Sequence, residues 1–241
     1  MSDHTRQREV WGRGVAGLVF AVALGGCACG GGAGKSATSR ELEALLYASR
    51  EVDAGRGEAA EALLSELDRD DQSLSEMGRL HLRLVLADGA ASEERWLDSA
   101  IHLAVVHDSS RFSQLSKSLR PRIVSALNGY LDGLESGTGS ENTYAQEVWP
   151  NDERGLAEEI AIRLADSADS PSEHRIREDF MMWLVQFALY HGDYETAKHI
   201  ATVMLRMSPR TKYNVSLAYM WDRYGWGELP APEPEEGGGE N

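Results

Sequence analysis

Three arrangements in the sequence have residue types and spacing that could do chemistry. Gly34-Lys35-Ser36 closes the run CGGGAGKS at residues 29–36, and such an ending belongs to loops whose backbone amides and lysine cradle nucleotide phosphates. Glu195 and His199 stand four apart in a helical stretch, so their side chains share a face and could hold an ion between them. Glu135-Ser136 ends another helical stretch, where a glutamate could serve as general acid and base.

None of the three is complete. The phosphate loop needs a glycine five residues before Gly34, at the turn off a buried strand; Cys29 occupies that position, and an apolar export-like run precedes it instead of a strand. An exposed i, i+4 pair accounts for Glu195 and His199. His102 and His107 are five apart, the wrong spacing for one helix face, and neither H-E-x-x-H, a clustered Asp/His set nor a G-x-S-x-G elbow occurs. Both cysteines, Cys27 and Cys29, lie at the front, so residue 30 onward has no thiol for a disulfide framework or a Cys-based metal site. The expectation is therefore no enzyme, no catalytic residue, no metal, no cofactor and no bound nucleotide.

The elements that must carry any function emerge from composition and pattern. The 241 residues are 42% hydrophobic and 26% charged, enough for a sizeable core, and the net charge is −15. That charge disfavours nucleic acid and anionic lipid as partners held by charge alone, and it suits solubility or a basic protein partner.

At the N-terminus, Arg6, Arg8 and Arg13 precede the uncharged run VAGLVFAVAL at 15–24, then Gly25 and Gly26. This is the layout of an export signal; a span of the bilayer would need about 20 apolar residues. The junction Leu24-Gly25-Gly26-Cys27 resembles the lipobox of bacterial lipoproteins. The resemblance implies cleavage before Cys27, acylation of that cysteine and, with Ala28 next, delivery to the outer membrane with the domain facing the periplasm. Residues 1–26 are then the signal peptide, and 27–37 become a Gly-rich flexible tether of roughly 18 Å span. Gly at the middle lipobox position and an alternative, poorer acceptor, Cys29, are the departures from the pattern.

From residue 38 to 227 the apolar residues recur at helical spacing, giving eight or nine helices and an all-α domain. Thr38 with Glu41 makes a capping box before Leu42, Leu45, Leu46 and Val52; Gly55 and Gly57 close that helix. Ala60, Leu63, Leu64 and Leu67 mark a second. Ser73 with Glu76 caps a third, which Asp88-Gly89 ends. Trp96, Leu97, Ala100, Ile101, Ala104 and Val105 define a fourth. Residues 110–135 read as one kinked helix or two short ones around Pro121, and 136–151 as a loop with one short helical turn. Leu156, Ile160 and Leu164 mark the next helix; then Ser170-Pro171-Ser172-Glu173 starts one that runs to Tyr190 or His191. Asp193 begins another, and 211–224 the last, whose Tyr213, Leu217, Met220, Trp221 and Tyr224, followed by Trp226, read as a core stripe or, alternatively, an aromatic partner-binding edge. Residues 228–241, rich in proline, glycine and acids and without a base, are expected to be a disordered tail.

Antiparallel helix pairs joined by glycine turns suggest a repeat. Residues 178–209 resemble a tetratricopeptide repeat: Gly192-Asp193-Tyr194 at the turn, Ala197 at the close approach, Pro209 at the end. Val185, Ala201 and Met204 depart from the family pattern, and a compact helical bundle is the competing architecture. The resemblance implies a concave groove for a protein segment, lined by Asp179, Met182, Gln186, Leu189 and Tyr190, with Phe180, Leu184 and Phe187 inward. Glu135-Ser136 with Ala145-Gln146 downstream also resembles, faintly, the Glu-Ser signature of lytic transglycosylases, but the family's glycine-rich signature is missing. The expected function is a lipid-anchored scaffold or assembly factor that binds a protein of an envelope machine for secretion, pilus, motility or outer-membrane assembly; a helical cell-wall enzyme using Glu135 and a purely structural lineage-specific lipoprotein are the alternatives.

Overall fold

The computed structural model describes residues 39–57, 59–60, 62, 75–109, 113–150, 152–168 and 173–230. The export segment, Cys27 and the tether lie outside the described residues, as do Leu63, Leu64 and Leu67, Ser73, Ser170-Pro171-Ser172 and the tail from 231. Among the described residues every regular element is a helix: α1 (Ser39–Asp53), α2 (Glu76–Ser92), α3 (Trp96–Ser109), α4 (Ser113–Ser136), α5 (Thr143–Val148), α6 (Glu153–Asp166), α7 (His174–Tyr190), α8 (Tyr194–Met207) and α9 (Asn214–Arg223). The all-α expectation holds, and the packing of neighbouring helices is compatible with a bundle or a repeat. The chain divides into two compact units, residues 1–93 and 94–241.

In the first unit, Leu45 and Ala48 of α1 pack with Ala60 and with Leu82 and Val85 of α2. Leu46, expected inward, is 45% exposed; Ala48, three residues after Leu45 and so on the same helix face, takes the inward position. Gly55, at φ 74°, turns the chain after α1. The start of α2 is capped by Ser75, whose hydroxyl accepts from the Gly78 amide at 3.0 Å. Asp88-Gly89 does not end α2, which continues to Ser92. Gly89 is buried against the end of α1 and the turn after it: a Cβ there would make ordinary contact, 3.4 Å from Val52 and 3.6 Å from the Gly57 Cα.

In the second unit α3 is buried almost all round from Leu97 to His107, with Val105 the exposed exception, and packs on α4, α5 and α6. Residues 113–136 form a single helix with Pro121 inside it. Next to that proline, buried Arg120 joins four elements. It donates to His107 Nε2 of α3 (3.1 Å) and to the Ser167 carbonyl beyond α6 (2.9 Å), and it lies 3.2 Å from the carboxylate of Glu173 before α7. Glu173 is itself the N-cap residue of α7, which begins at His174, later than the proline at 171 suggests. Helix α7 packs against α4, α6 and α8. Its Trp183 donates to the Leu127 carbonyl of α4 at 2.7 Å and stacks on Phe187 at 4.6 Å. The α7–α8 turn agrees with the sequence: Gly192 at φ 75°, Asp193 accepting from the Thr196 amide at 3.1 Å, and Ala197, Ala201 and Met204 buried.

Trp96 lies flat on Gly129, where a Cβ would come within 2.6 Å of the indole. Gly129→Ala should therefore cost about 1–3 kcal/mol of unfolding free energy as the ring is pushed off α4. Urea unfolding checks this, with Asn128→Ala at the neighbouring exposed position expected within about 0.5 kcal/mol of the parent.

Candidate functional site

A cleft of about 290 Å³ opens between the start of α3, the last turns of α4, the loop 137–142 and the first residue of α6. Its position is fixed by two helix starts that cap each other. Asp98 of α3 is fully buried, and its carboxylate accepts from the Tyr144 and Ala145 amides at the start of α5 (3.2 and 2.8 Å). Asn142, just before α5, returns its side-chain oxygen to the Leu97 amide at the start of α3 (3.0 Å). Each helix thereby satisfies amides that its own first turn leaves without partners. Arg95 closes the joint with a 2.7 Å ion pair to Asp98, and the His102 ring packs tilted against Tyr144, centres 4.4 Å apart. The loop after α4 folds back on Gly133, whose carbonyl accepts from the Thr138 and Gly139 amides at 3.1 and 3.3 Å.

Glu94, Glu141 and Glu153 edge the cleft, Trp96 and Tyr130 present rings to it, and no lysine or arginine lines it among the described residues. Glu94 sits at φ 60°, a conformation that side chains other than glycine rarely take. The Glu153 carboxylate accepts from the Tyr130 hydroxyl at 3.4 Å and from Gln146 at 3.2 Å. Burial, then the neighbouring Glu153 charge, pushes the Tyr130 hydroxyl well above the usual tyrosine range, so it stays a donor. Acceptors and ring faces without a competing cation suit a guanidinium or ammonium group.

The residues expected to line a groove on α7 are not gathered into one. Met182 is only 4% exposed and belongs to the core with Phe180, Leu184 and Phe187. Gln186 and Leu189 are half-buried. The Asp179 carboxylate takes the Tyr213 hydroxyl and the Lys212 ammonium, each at 2.6 Å, which ties α7 to the chain leading into α9. Tyr190 is exposed, and its hydroxyl donates to the Leu134 carbonyl at 2.9 Å, beside the cleft. Along α7 Asp179 and Tyr190 stand about 16 Å apart at 1.5 Å per residue. Glu135 is exposed at the end of α4 and is not among the cleft residues. Glu195 and His199 are both exposed on α8. Among the described residues no three His, Cys, Asp or Glu side chains gather as metal ligands, and no helix is long and apolar enough to cross a membrane.

Sequence reasoning missed the cleft. Helical periodicity makes Trp96 plain core, and the local signals that could have found the cleft are Gly129 beneath it and the glycines at 133, 137 and 139 that bring the loop onto α4. No protein-family model, curated protein or solved structure matches the chain.

Asp98→Ala leaves Arg95 and two helix-start amides without their acceptor and should destabilise the second unit by about 3–5 kcal/mol; Asn142→Ala, which loses one cap, should cost about 1 kcal/mol. Guanidinium unfolding of the two variants tests that ranking. At the other end of α7, burial and then donation to Asp179 push the Tyr213 hydroxyl up to about 12, against a smaller opposing pull from Lys212. The neutral hydroxyl is the form the fold favours, so its contribution is complete below pH about 10, the ordinary tyrosine value, and is lost as pH rises towards 12. Tyr213→Phe should remove from the alkaline tyrosinate absorbance titration a component near pH 12, above the ordinary tyrosines and before the still later Tyr130.

Proposed function

We propose that the chain is a bacterial lipoprotein, acylated at Cys27 and held on the periplasmic side of the outer membrane, whose tetratricopeptide-like domain works without catalysis as a scaffold for a protein of an envelope machine. The observation that carries the binding role is the cleft, where Glu94, Glu141 and Glu153 surround the rings of Trp96 and Tyr130 with no cation among them. Such a surface suits lysine or arginine side chains on an extended partner segment, and a net charge of −15 would speed the encounter with a basic partner. The α7–α8 hairpin, with its glycine turn, aspartate cap and fully buried Ala197, supports the repeat reading. The lipobox-like LGGC supplies the anchor: two or three acyl chains hold a protein on the membrane with no apolar protein surface needed.

Intact-mass analysis of membrane fractions should find a mature chain starting at Cys27 and carrying diacylglycerol, and Cys27→Ser should release the protein from the membrane. Crosslinking in the same fractions should capture one stoichiometric protein partner, and Glu94→Lys with Glu141→Lys should reduce that capture at least tenfold. An unmodified Cys27 would sink the anchoring half of the proposal, and undiminished capture by the double variant would sink the binding half.

A further inference from the structure

The groups that line the cleft are held in ways that discriminate between the two cations it could take. Donors near it are already engaged: the Thr138 and Gly139 amides, which could otherwise form a nest for an anion, both donate to the Gly133 carbonyl. Arg154, which follows Glu153 in the chain, pairs instead with Glu158 at 3.0 Å and lies 3.9 Å from Asp193. What the cleft offers a ligand is acceptors and aromatic rings.

Two of these groups are fixed in orientation. Trp96 lies flat on Gly129, with three indole atoms 2.6–2.9 Å from where a Cβ would stand, so α4 covers one face of the ring. The side chain is half-buried and lines the cleft with what α4 leaves uncovered. The Glu153 carboxylate is held at both oxygens: Oε2 accepts from the Tyr130 hydroxyl at 3.4 Å, and Oε1 from the Gln146 side-chain amide at 3.2 Å. These bonds set the plane in which its remaining lone pairs point. Glu94 and Glu141, by contrast, are exposed and make no ion pair among the described residues.

A planar cation can use both fixed groups at once. A guanidinium laid on the indole still presents its N–H groups edgewise to a carboxylate. An ammonium turned toward the ring withdraws a donor from the carboxylate, and it gives up its water less readily. Acceptors already fixed favour the fork further, because little side-chain freedom is lost on pairing. We infer that the cleft selects an arginine side chain over a lysine, with the guanidinium stacked on Trp96 and donating to Glu153, and with Glu94 and Glu141 adding attraction for any cation at the rim. This selectivity rests on the cleft being the cation-binding site proposed above. Size agrees with it: about 290 Å³ lies at the small end of ligand clefts and suits one long side chain, its stem beside Leu134 and Tyr130.

The test titrates the full chain with blocked peptides Gly-Gly-X-Gly-Gly, where X is arginine, lysine or citrulline, the last keeping the planar donors without the charge. NMR follows the Trp96 indole N–H, its resonance assigned by its loss in Trp96→Phe. The arginine peptide should bind about fivefold tighter than the lysine peptide and about tenfold tighter than the citrulline peptide. Glu153→Gln should bring the arginine-to-lysine ratio below about twofold, whereas Glu141→Gln should weaken both peptides by a similar factor and leave the ratio in place. Both peptides are measured on the same variant, so partial loss of the fold cannot mimic a changed ratio. Lysine binding as tightly as arginine, or a ratio untouched by Glu153→Gln, would overturn the selectivity while leaving the cleft a site for basic side chains. Citrulline binding as tightly as arginine, or no Trp96 shift with any peptide at about 10 mM, would overturn the cation-binding reading itself and this inference with it.

Discussion

The second unit depends on a buried carboxylate. Asp98 has no access to water, and an isolated charge in that position would be very costly. It is tolerated because Arg95 and two backbone amides converge on it at 2.7–3.2 Å. Those amides belong to α5, a helix of six residues that could not persist alone, since fixing the first turn of any helix is unfavourable. The carboxylate therefore nucleates α5, and Asn142 at the head of α5 satisfies the amide of Leu97. Once the two helix starts are locked together, the loop 137–142 can lie in only one place, across Gly133, and the cleft exists as a by-product of that lock.

Arg120 plays a comparable part at the other end of α3. Its guanidinium donates to a histidine ring nitrogen and a helix-end carbonyl and lies in ion-pair range of a carboxylate, so one planar fork reaches three neighbouring elements where a lysine could not. The two polar joints sit on either side of the apolar contact formed by Leu127, Trp183 and Phe187. Packing supplies most of the stabilisation; the joints select the helix pairing, because a slipped helix would strand a buried charge. Helix α7 becomes central through this pairing, and Met182 is drawn into the core that a groove would have left open.

How far the sequence speaks for the structure depends on how local each signal is. Gly192, Asp193 and the short helix within 136–151 are legible because a left-handed turn, a side-chain cap and a polar loop are decided by a few consecutive residues. Gly89 misleads for the opposite reason: it has the look of a stop signal, but it is buried against Val52 and Gly57, and contacts made across the helix pair are invisible to any pattern within α2. Leu46 and Ala48 show the same limit, since either fits a helical stripe and only the partner helix decides between them. Ser73 and Ser75 both offer an N-cap to the same helix, and Ser75 makes the hydrogen bond. The cleft is the least legible feature. Its residues come from 94, 130, 141 and 153, assembled by hydrogen bonds from Asp98 and Asn142 that cross more than 40 residues of chain.

Charge is distributed with the same economy as the hydrogen bonds. The acids that edge the cleft, Glu94, Glu141 and Glu153, stand where no lysine or arginine lines the wall among the described residues. Arg95, next to Glu94 in the chain, is buried and committed to Asp98 at 2.7 Å. The ion pair that makes the buried carboxylate tolerable thus takes up the guanidinium that adjoins Glu94, and the negative edge there follows from the same joint that builds the fold.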